Sequence, residues 1–197
     1  MDALVGHADI LFSHLWLEHV TCVDGDVYVY LDGVLQSSNS CLGGLFNLSV
    51  NTAGVVDGPL AITALAVDPA GNPTVTSAIN LSKDTDVPDP ATGLGWDVAS
   101  PSNVLGVNIN WTPSTSGDVT GQVGYMFESV SCGGTFMGAS PTFADTVNTQ
   151  PFTGSDAITN SYFIRSFDGA GNFVDSTCST SMAFDSTPPV ISSVVAL

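Results

Sequence analysis

Carboxylates are the side chains of this sequence with the most evident chemistry. Among 197 residues 19 are acidic and two are basic, so the formal net charge is −17. Carboxylate oxygens are preferred calcium ligands, whereas a surface of this charge repels nucleic acid and anionic lipid headgroups. No apolar stretch has the length of a membrane span. We therefore expect a cation as the one candidate cofactor, no nucleic-acid partner and no insertion into a membrane.

Three aspartates crowd one short segment, Asp84, Asp86 and Asp89, and Asp68 lies in a loop that is expected to approach them. Carboxylates at this spacing repel one another unless water or a cation neutralises them. Extracellular modules bind calcium weakly, with dissociation constants of about 10⁻⁴–10⁻³ M. We predict a calcium site formed by these four aspartates. The alternative is that they are solvated linker acids.

Residues suited to catalysis are scarce. All three histidines, His7, His14 and His19, lie near the N-terminus. The rest of the chain therefore cannot build a Ser/His/Asp or Cys/His unit of its own. No glycine-rich phosphate-binding motif occurs either. We predict that the protein is not an enzyme.

The four cysteines, Cys22, Cys41, Cys132 and Cys178, contain no C-x-x-C pair, which disfavours a zinc or redox site. An even count, with two cysteines in each half, fits disulfides and an oxidising compartment. Three pairings are open. We favour Cys22 with Cys41 and Cys132 with Cys178, because each bridge then lies within one half. Free buried thiols are the alternative.

The elements that must position these residues are β-strands. In DVYVYLDG the residues Val27, Val29 and Leu31 share one face, and GVNINWTP alternates in the same way. In GYMFESV, Tyr125 and Phe127 also share a face. Gly, Asp, Asn, Ser and Pro bound each run, as expected of short strands joined by turns. This pattern predicts antiparallel β-sandwiches.

The string Asp-x-Ala-Gly-Asn occurs twice, 100 residues apart, each time after an alternating run. We predict that each copy is the loop of a β-hairpin, followed by one return strand. Asp is expected to accept backbone N–H groups across the loop, while Gly and Asn tolerate the positive φ of a tight turn. The predicted turn residues are Asp68, Gly71 and Asn72 in the first copy and Asp168, Gly171 and Asn172 in the second.

The repeat predicts two domains, 1–87 and 88–187, each ending in this hairpin. Linkers are expected near residues 84–91 and 185–189, where proline removes backbone donors. The first twenty residues fit the strand pattern poorly, and within them only DILFSHLWL suggests a strand. Residues 188–197 are predicted to be the first strand of a following domain or a strand donated to another molecule.

The stretch TCVDGDVYVYLDGVLQSSNSCLGGLFNLSVN, followed by DGPLAITALAVDPAGN and KDT, resembles bacterial immunoglobulin-like repeats of large surface proteins. In the second half, VNINWTPS, GYMFES and SYFIRSFDGAGN resemble the second, third and sixth strands of a fibronectin type III domain, with Trp111 and Tyr162 as core aromatics. Cys132 and Cys178 depart from that family, which usually lacks cysteine. The resemblance implies an all-β protein of two tandem sandwich domains, located outside the cell on a bacterial surface.

Three functions are compatible with this organisation. The first is a spacer, stalk or adhesive module whose partners are neighbouring repeats and a surface ligand. The second is a self-assembling filament subunit, in which Val190, Ile191, Val194 and Val195 enter a groove of the next copy by β-strand addition. The third is an accessory carbohydrate-binding module of an exported enzyme. It needs an exposed aromatic platform, whereas most aromatic residues are expected to face the core.

Overall fold

The computed structural model describes residues 10–11, 14–22, 24–41 and 44–192, and for 10–11, 14–22 and 44–49 it describes the backbone alone. The chain divides into a first unit, Met1–Asp86, and a second unit, Val87–Leu197. Every regular element in the described part is a β-strand, which confirms the predicted all-β class of tandem sandwiches. That part contains no helix able to cross a membrane.

Strands of the first unit form two antiparallel sheets. Their bounds are β1 (Ile10–Leu11), β2 (His14–Cys22), β3 (Gly25–Leu31), β4 (Val34–Cys41), β5 (Gly44–Asn51), β6 (Gly58–Val67), β7 (Pro73–Val75) and β8 (Ile79–Lys83). One sheet has the order β1-β2-β5 and the other the order β4-β3-β6-β7, with β8 also paired to β6.

The alternation in β3 and β6 builds the core of the first unit. Val27, Val29 and Leu31 of β3 are buried, as predicted, and they pack with Leu60 and Ile62 of β6. Successive side chains of a strand point to opposite faces, so this alternation directs one apolar row into the sandwich.

The N-terminal segment is more regular than the sequence suggested. Strand β2 begins inside the first twenty residues and pairs antiparallel with β5, from His14 opposite Asn51 to Cys22 opposite Gly44. A register irregularity between Leu17 and Val20 marks a bulge, which interrupts the alternation. Such an interruption explains why the strand pattern was weak there.

Strands of the second unit also form two sheets. Their bounds are β9 (Thr92–Trp96), β10 (Gly106–Thr112), β11 (Val119–Glu128), β12 (Thr135–Ala139), β13 (Thr149–Thr153), β14 (Thr159–Asp168), β15 (Phe173–Asp175) and β16 (Met182–Ala183). The sheet orders are β13-β10-β9 and β12-β11-β14-β15, with β16 also paired to β14.

The core of the second unit contains both aromatic residues that the sequence placed there. Trp111 and Tyr162 are buried, together with Ile109 and Ile164. The Trp111 Nε1–H donates to Oε1 of Gln122 at 2.9 Å, and Gln122 Nε2 donates to the Asp145 carbonyl at 2.8 Å. Gln122 is fully buried, and these bonds satisfy its amide inside the sandwich.

Strand β13 is at the edge of its sheet, and Pro151 lies opposite Asn108 of β10. The neighbouring bonds run from Trp111 N–H to the Asn148 carbonyl and from Gly154 N–H to the Leu105 carbonyl. Hydrogen-bonded and non-hydrogen-bonded pairs alternate along an antiparallel ladder, and Pro151 and Asn108 form a non-hydrogen-bonded pair. The backbone N and C=O of Pro151 therefore point away from β10. The open edge of the sheet therefore lacks a donor at its centre.

The predicted return strand after each hairpin is interrupted. Strands β7 and β8 both pair with β6, and β15 and β16 both pair with β14. In the gap, Thr76 N–H donates to the Ala64 carbonyl at 2.9 Å, and Ala64 N–H donates to the Thr76 hydroxyl at 3.0 Å. Ser176 and Ile164 exchange the same two bonds at 2.8 and 3.0 Å. The hydroxyl of Thr76 or Ser176 therefore accepts the N–H that a backbone carbonyl would accept in a continuous return strand.

Candidate functional site

Both copies of the repeated string close a hairpin with the same hydrogen bonds. Asp68 Oδ1 accepts the N–H groups of Ala70 and Asn72 at 2.9 and 2.8 Å, and Oδ2 accepts Asn72 Nδ2 at 2.8 Å. Asp168 makes the corresponding three bonds, each 2.9 Å long. The predicted role of aspartate in the loop is thus present in each unit.

Glycine and asparagine have separate tasks in this turn. Gly71 and Gly171 have φ of 86° and 93°, in the left-handed region that favours glycine. Neither asparagine is among the described residues with positive φ, so the glycine alone adopts the conformation that both residue types tolerate. Asn72 instead contributes its amide, which bonds the aspartate carboxylate.

Asp68 is engaged within its own turn. Hydrogen bonds from Asn72, first from the side chain and then from the backbone, hold the pKa of Asp68 below its ordinary 3.8. Of the other predicted calcium ligands, Asp84 accepts the Asp86 N–H at 3.1 Å, and Asp89 accepts the Thr115 hydroxyl at 3.3 Å. The turn accounts for Asp68 without an ion, and the calcium site stays a prediction.

The cysteines of the second unit form a disulfide, in the pairing favoured from the sequence. Cys132 and Cys178 have a Cα–Cα distance of 5.7 Å and are 46 residues apart in the chain. The bridge ties the turn after β11 to the segment between β15 and β16. Cys41 is also disulfide-bonded. The side chain of Cys22 lies outside the described residues.

A clamp that the sequence did not suggest holds the end of the first unit. Asp57, just before β6, accepts the N–H and the hydroxyl of Thr85 at 2.8 and 2.7 Å. Lys83 is buried, lies 3.4 Å from the same carboxylate, and donates to the Val55 carbonyl. Because the Thr85 hydroxyl and N–H bond Asp57, the pKa of this carboxyl is lowered.

The second unit has a clamp of the same form. Asp156, shortly before β14, accepts the hydroxyl of Ser186 at 2.9 Å and also bonds the Ser186 N–H and the Thr187 hydroxyl. These bonds, led by that of Thr187, lower the pKa of Asp156. In each unit an aspartate before the ten-residue strand that leads into the hairpin thus binds hydroxyl residues that follow the last strand. The acceptor and donors are about 30 residues apart, so no local motif revealed them.

A set of aromatic rings lies on the outer surface of the β12-β11-β14-β15 sheet. Tyr162 and Ile164 of β14 face the core, and successive residues of a strand point to opposite faces. Phe163 and Arg165 of the same strand therefore face outward. Neighbouring strands contribute rings at the same level. We call this surface the aromatic face and define it by Tyr125, Phe127, Phe136, Phe163 and Phe173, with Arg165 and Asp175.

The rings of the aromatic face pack in a row across the strands. Tyr125 and Phe163 stack with centroids 4.9 Å apart and planes 12° apart, and Phe127 stacks on Phe163 at 5.7 Å. Phe136 packs against Phe127 at 5.7 Å and remains 54% exposed. The expectation that most aromatic residues face the core is therefore wrong for this sheet. The sequence signal for this surface is period-two alternation. Tyr125 follows the buried Gly124 and Phe163 follows the buried Tyr162, so both rings are placed on the outward side of the sheet.

Arg165 lies over two rings of the aromatic face, those of Tyr125 and Phe173. Its guanidinium carbon is 4.0 Å from the Phe173 ring centre and 5.1 Å from that of Tyr125. Asp175 accepts two guanidinium bonds, of 2.7 and 2.9 Å. The Asp175 carboxylate is the main cause of a raised Arg165 pKa. The face therefore has a fixed ion pair whose charges cancel.

The residues predicted for strand donation are only partly described. Val190 and Ile191 are 89% and 81% exposed and belong to no strand. Val194 and Val195 lie outside the described residues. Their role as a donated strand stays a prediction.

Solved structures with the same fold were found, although no family model and no curated protein matches the chain. Fibronectin(III)-like modules of CbhA from Clostridium thermocellum align with a TM-score of 0.54 at 11% identity, over 88% of this chain and 86% of that one. The FN1-FN3 domains of chicken CNTN1 align with a TM-score of 0.51 at 11% identity, over 83% and 62%. Domains from titin align with a TM-score of 0.50 at 16% identity, over 86% and 56%. These likenesses show a fibronectin type III-like fold.

Proposed function

We propose that the chain is a structural spacer or adhesive module of a bacterial extracellular surface protein, with an immunoglobulin-like first half and a fibronectin type III-like second half. It acts without catalysis, and its partners are neighbouring repeats and a surface ligand. The observation that carries the proposal is the recurrence of the hairpin and of the clamp in both units. Both devices strengthen the C-terminal end of a unit, where a tandem protein passes tension along the chain.

The disulfide supports the same role. Cys132 and Cys178 are 46 positions apart, and the chain between them cannot extend while the bridge is intact. At roughly 3.5 Å per residue, the bridge removes about 160 Å from the stretched length of the second unit. A spacer gains from this because the unit lengthens less under load than it would without the bridge.

Single-molecule stretching between the chain ends tests the spacer role. We expect the second unit to resist extension and to release about 160 Å more chain after reduction of the disulfide. Asp156→Ala is expected to lower its unfolding force, whereas Asp145→Ala, at another exposed aspartate, leaves the force unchanged. A unit that extends without a resolved unfolding event would contradict the proposal.

Calcium at Asp68, Asp84, Asp86 and Asp89 is a separate part of this proposal. If it binds there, calorimetric titration with millimolar calcium gives heat and the melting temperature rises. Asp86→Asn is expected to weaken both responses, because it removes one carboxylate of the set. Absence of heat and of stabilisation would reject the calcium site and leave the spacer role standing.

A filament subunit is the second candidate, favoured by the high exposure of Val190 and Ile191. In that case the C-terminal segment, including Val194 and Val195, adds a strand to the next molecule. Sedimentation of the intact chain is then expected to show assemblies that disappear when residues 188–197 are deleted. Sedimentation as a monomer with and without the segment rejects this candidate.

A further inference from the structure

The aromatic face has the composition of a protein-binding surface. Interface cores are enriched in Phe, Tyr and Arg and depleted in Lys and Glu. Here five rings and one arginine share the outer side of a sheet, where polar residues are the norm. Phe136 and Phe173 are 54% and 51% exposed. Large exposed rings grouped on one face mark an interaction site more strongly than rings scattered singly.

Charge limits which partner this surface suits. The chain has a net charge of −17, whereas the only cation of the aromatic face is already paired with Asp175. A partner approaching the face therefore meets a long-range negative field and a locally neutral, apolar surface. Such a field attracts positively charged proteins and repels a second copy of this chain.

Two rings of the aromatic face already bind a cation, the guanidinium of Arg165. Arg165 lies over Phe173 and beside Tyr125, which is the geometry of cation–π attraction. Phe136, at the other side of the row, has no cation over it among the described residues and is more exposed than Phe173. An arginine or lysine of a partner protein can stack on the Phe136 ring. Apolar side chains of the same partner can then cover Phe127 and Tyr125.

Sugars fit the same surface less well. A carbohydrate platform offers the flat sides of its rings, but Tyr125 and Phe163 stack with planes 12° apart, so each covers one side of the other. A flat sugar ring needs an uncovered ring side, whereas protein side chains also pack against the edges of stacked rings.

We propose that the aromatic face binds a positively charged polypeptide segment, in which arginine or lysine side chains alternate with apolar ones. The cation of the segment stacks on Phe136 and its apolar residues pack along the ring row. The negative surface of the chain accelerates the encounter, and the neutral face provides the contact area. This site is distinct from the clamps and the disulfide on which the spacer role rests.

Fluorescence anisotropy with labelled synthetic peptides tests the proposal on the full chain. The probes alternate arginine with leucine, arginine with serine, or glutamate with leucine. We expect the first to bind best and Phe136→Ser to weaken it at least about fivefold, as at an interface hot spot. Phe136→Leu, which keeps apolar area and removes the ring, is expected to lie between. Val104→Ser, at an exposed valine in the segment just before β10 and outside the aromatic face, is the matched control and is expected to leave binding unchanged.

Several outcomes overturn the proposal. Equal binding of the arginine–serine peptide shows attraction to charge alone, and equal losses in Phe136→Ser and Val104→Ser show a site elsewhere. Unchanged binding by Phe136→Leu excludes the cation–ring contact. A glycan array on which the wild type binds and Phe136→Ser does not would assign the face to sugars. Self-association that grows with salt and is lost in Phe136→Ser would assign it to a second copy, because salt screens the repulsion between copies.

Discussion

At the scale of single residues, Tyr162 shows how a buried polar group fixes the second sandwich. Its hydroxyl oxygen lies 2.7 Å from the carbonyls of both Gly95 and Asn110 and accepts the Gly95 N–H at 2.9 Å. Burial is the main cause that raises the pKa of Tyr162 to about 12, so the phenol stays protonated and can donate. One hydroxyl therefore ties β14 to both β9 and β10 of the opposite sheet.

Removal of that hydroxyl is expected to be costly. Tyr162→Phe removes the hydroxyl that bonds the half-buried backbone groups of Gly95 and Asn110, and we expect a loss of about 1–3 kcal/mol in the free energy of unfolding. Urea denaturation measures it. Tyr30→Phe, at a half-exposed tyrosine of the first unit, is the control and is expected to change stability little. Similar stability of both variants would show that the hydroxyl adds nothing beyond ring packing.

The clamp aspartates predict sensitivity to acid. Hydrogen bonds lower the pKa of Asp57 and Asp156 below the ordinary value of 3.8. A group whose pKa is lower when folded stabilises the protein above its unfolded pKa and loses that contribution as pH falls through the folded pKa. The contribution is therefore complete well above 3.8 and is lost as pH falls from 3.8 through the lower folded pKa.

Melting temperatures of wild type and Asp156→Asn between pH 7 and pH 2 measure this dependence. We expect the variant to be less stable at pH 7 and the difference to shrink below pH 3.8, because the wild-type carboxyl is then protonated too. Asp145→Asn, which replaces another exposed aspartate, is expected to follow the wild-type curve. A gap between wild type and Asp156→Asn that stays constant with pH would contradict the clamp.

At the scale of elements, the sequence predicted the strands with their core faces but not the breaks between them. Period-two alternation located β3, β10 and β14, since one face of each is buried. The interruption at Thr76 and Ser176 was not predictable, because Ser and Thr are common in continuous strands as well. The clamps were also missed, because their donors and acceptors are remote in sequence and meet only after folding.

Ser176 provides a direct test of the interrupted return strand. Ser176→Ala leaves the buried Ile164 N–H without its acceptor, so we expect a loss of about 1–3 kcal/mol in unfolding free energy. Thr177→Ala changes the next residue, whose side chain is exposed, and is expected to be nearly neutral. Chemical denaturation of both variants measures the difference. If both are neutral, the hydroxyl is not a structural substitute for a strand carbonyl.

At the scale of the whole molecule, charge is the dominant property. A net charge of −17 on 197 residues favours solubility and also destabilises compact states by self-repulsion. The fold and the excess of acids could be read from composition and alternation. Alternation indicated which rings of β11 and β14 face outward, but not the aromatic face as a whole, because its rings come from four strands whose lateral order depends on the sheet topology.

Salt is therefore expected to stabilise this protein. The Debye length falls from about 30 Å at 0.01 M to about 3 Å at 1 M, so repulsion between acids weakens as sodium chloride is added. We expect the melting temperature to rise steadily over that range. Calorimetry in sodium chloride measures it, and a melting temperature that falls or stays constant would show that self-repulsion has no net effect on stability.

Pro151 has a consequence when many copies stand side by side. A sheet edge with a full row of donors invites a foreign strand and thereby sheet growth from one molecule into the next. Pro151 interrupts that row at the middle of β13. At high density, neighbouring molecules can therefore make contact along the β13 edge without pairing their strands into an amyloid-like sheet, and each keeps its own fold.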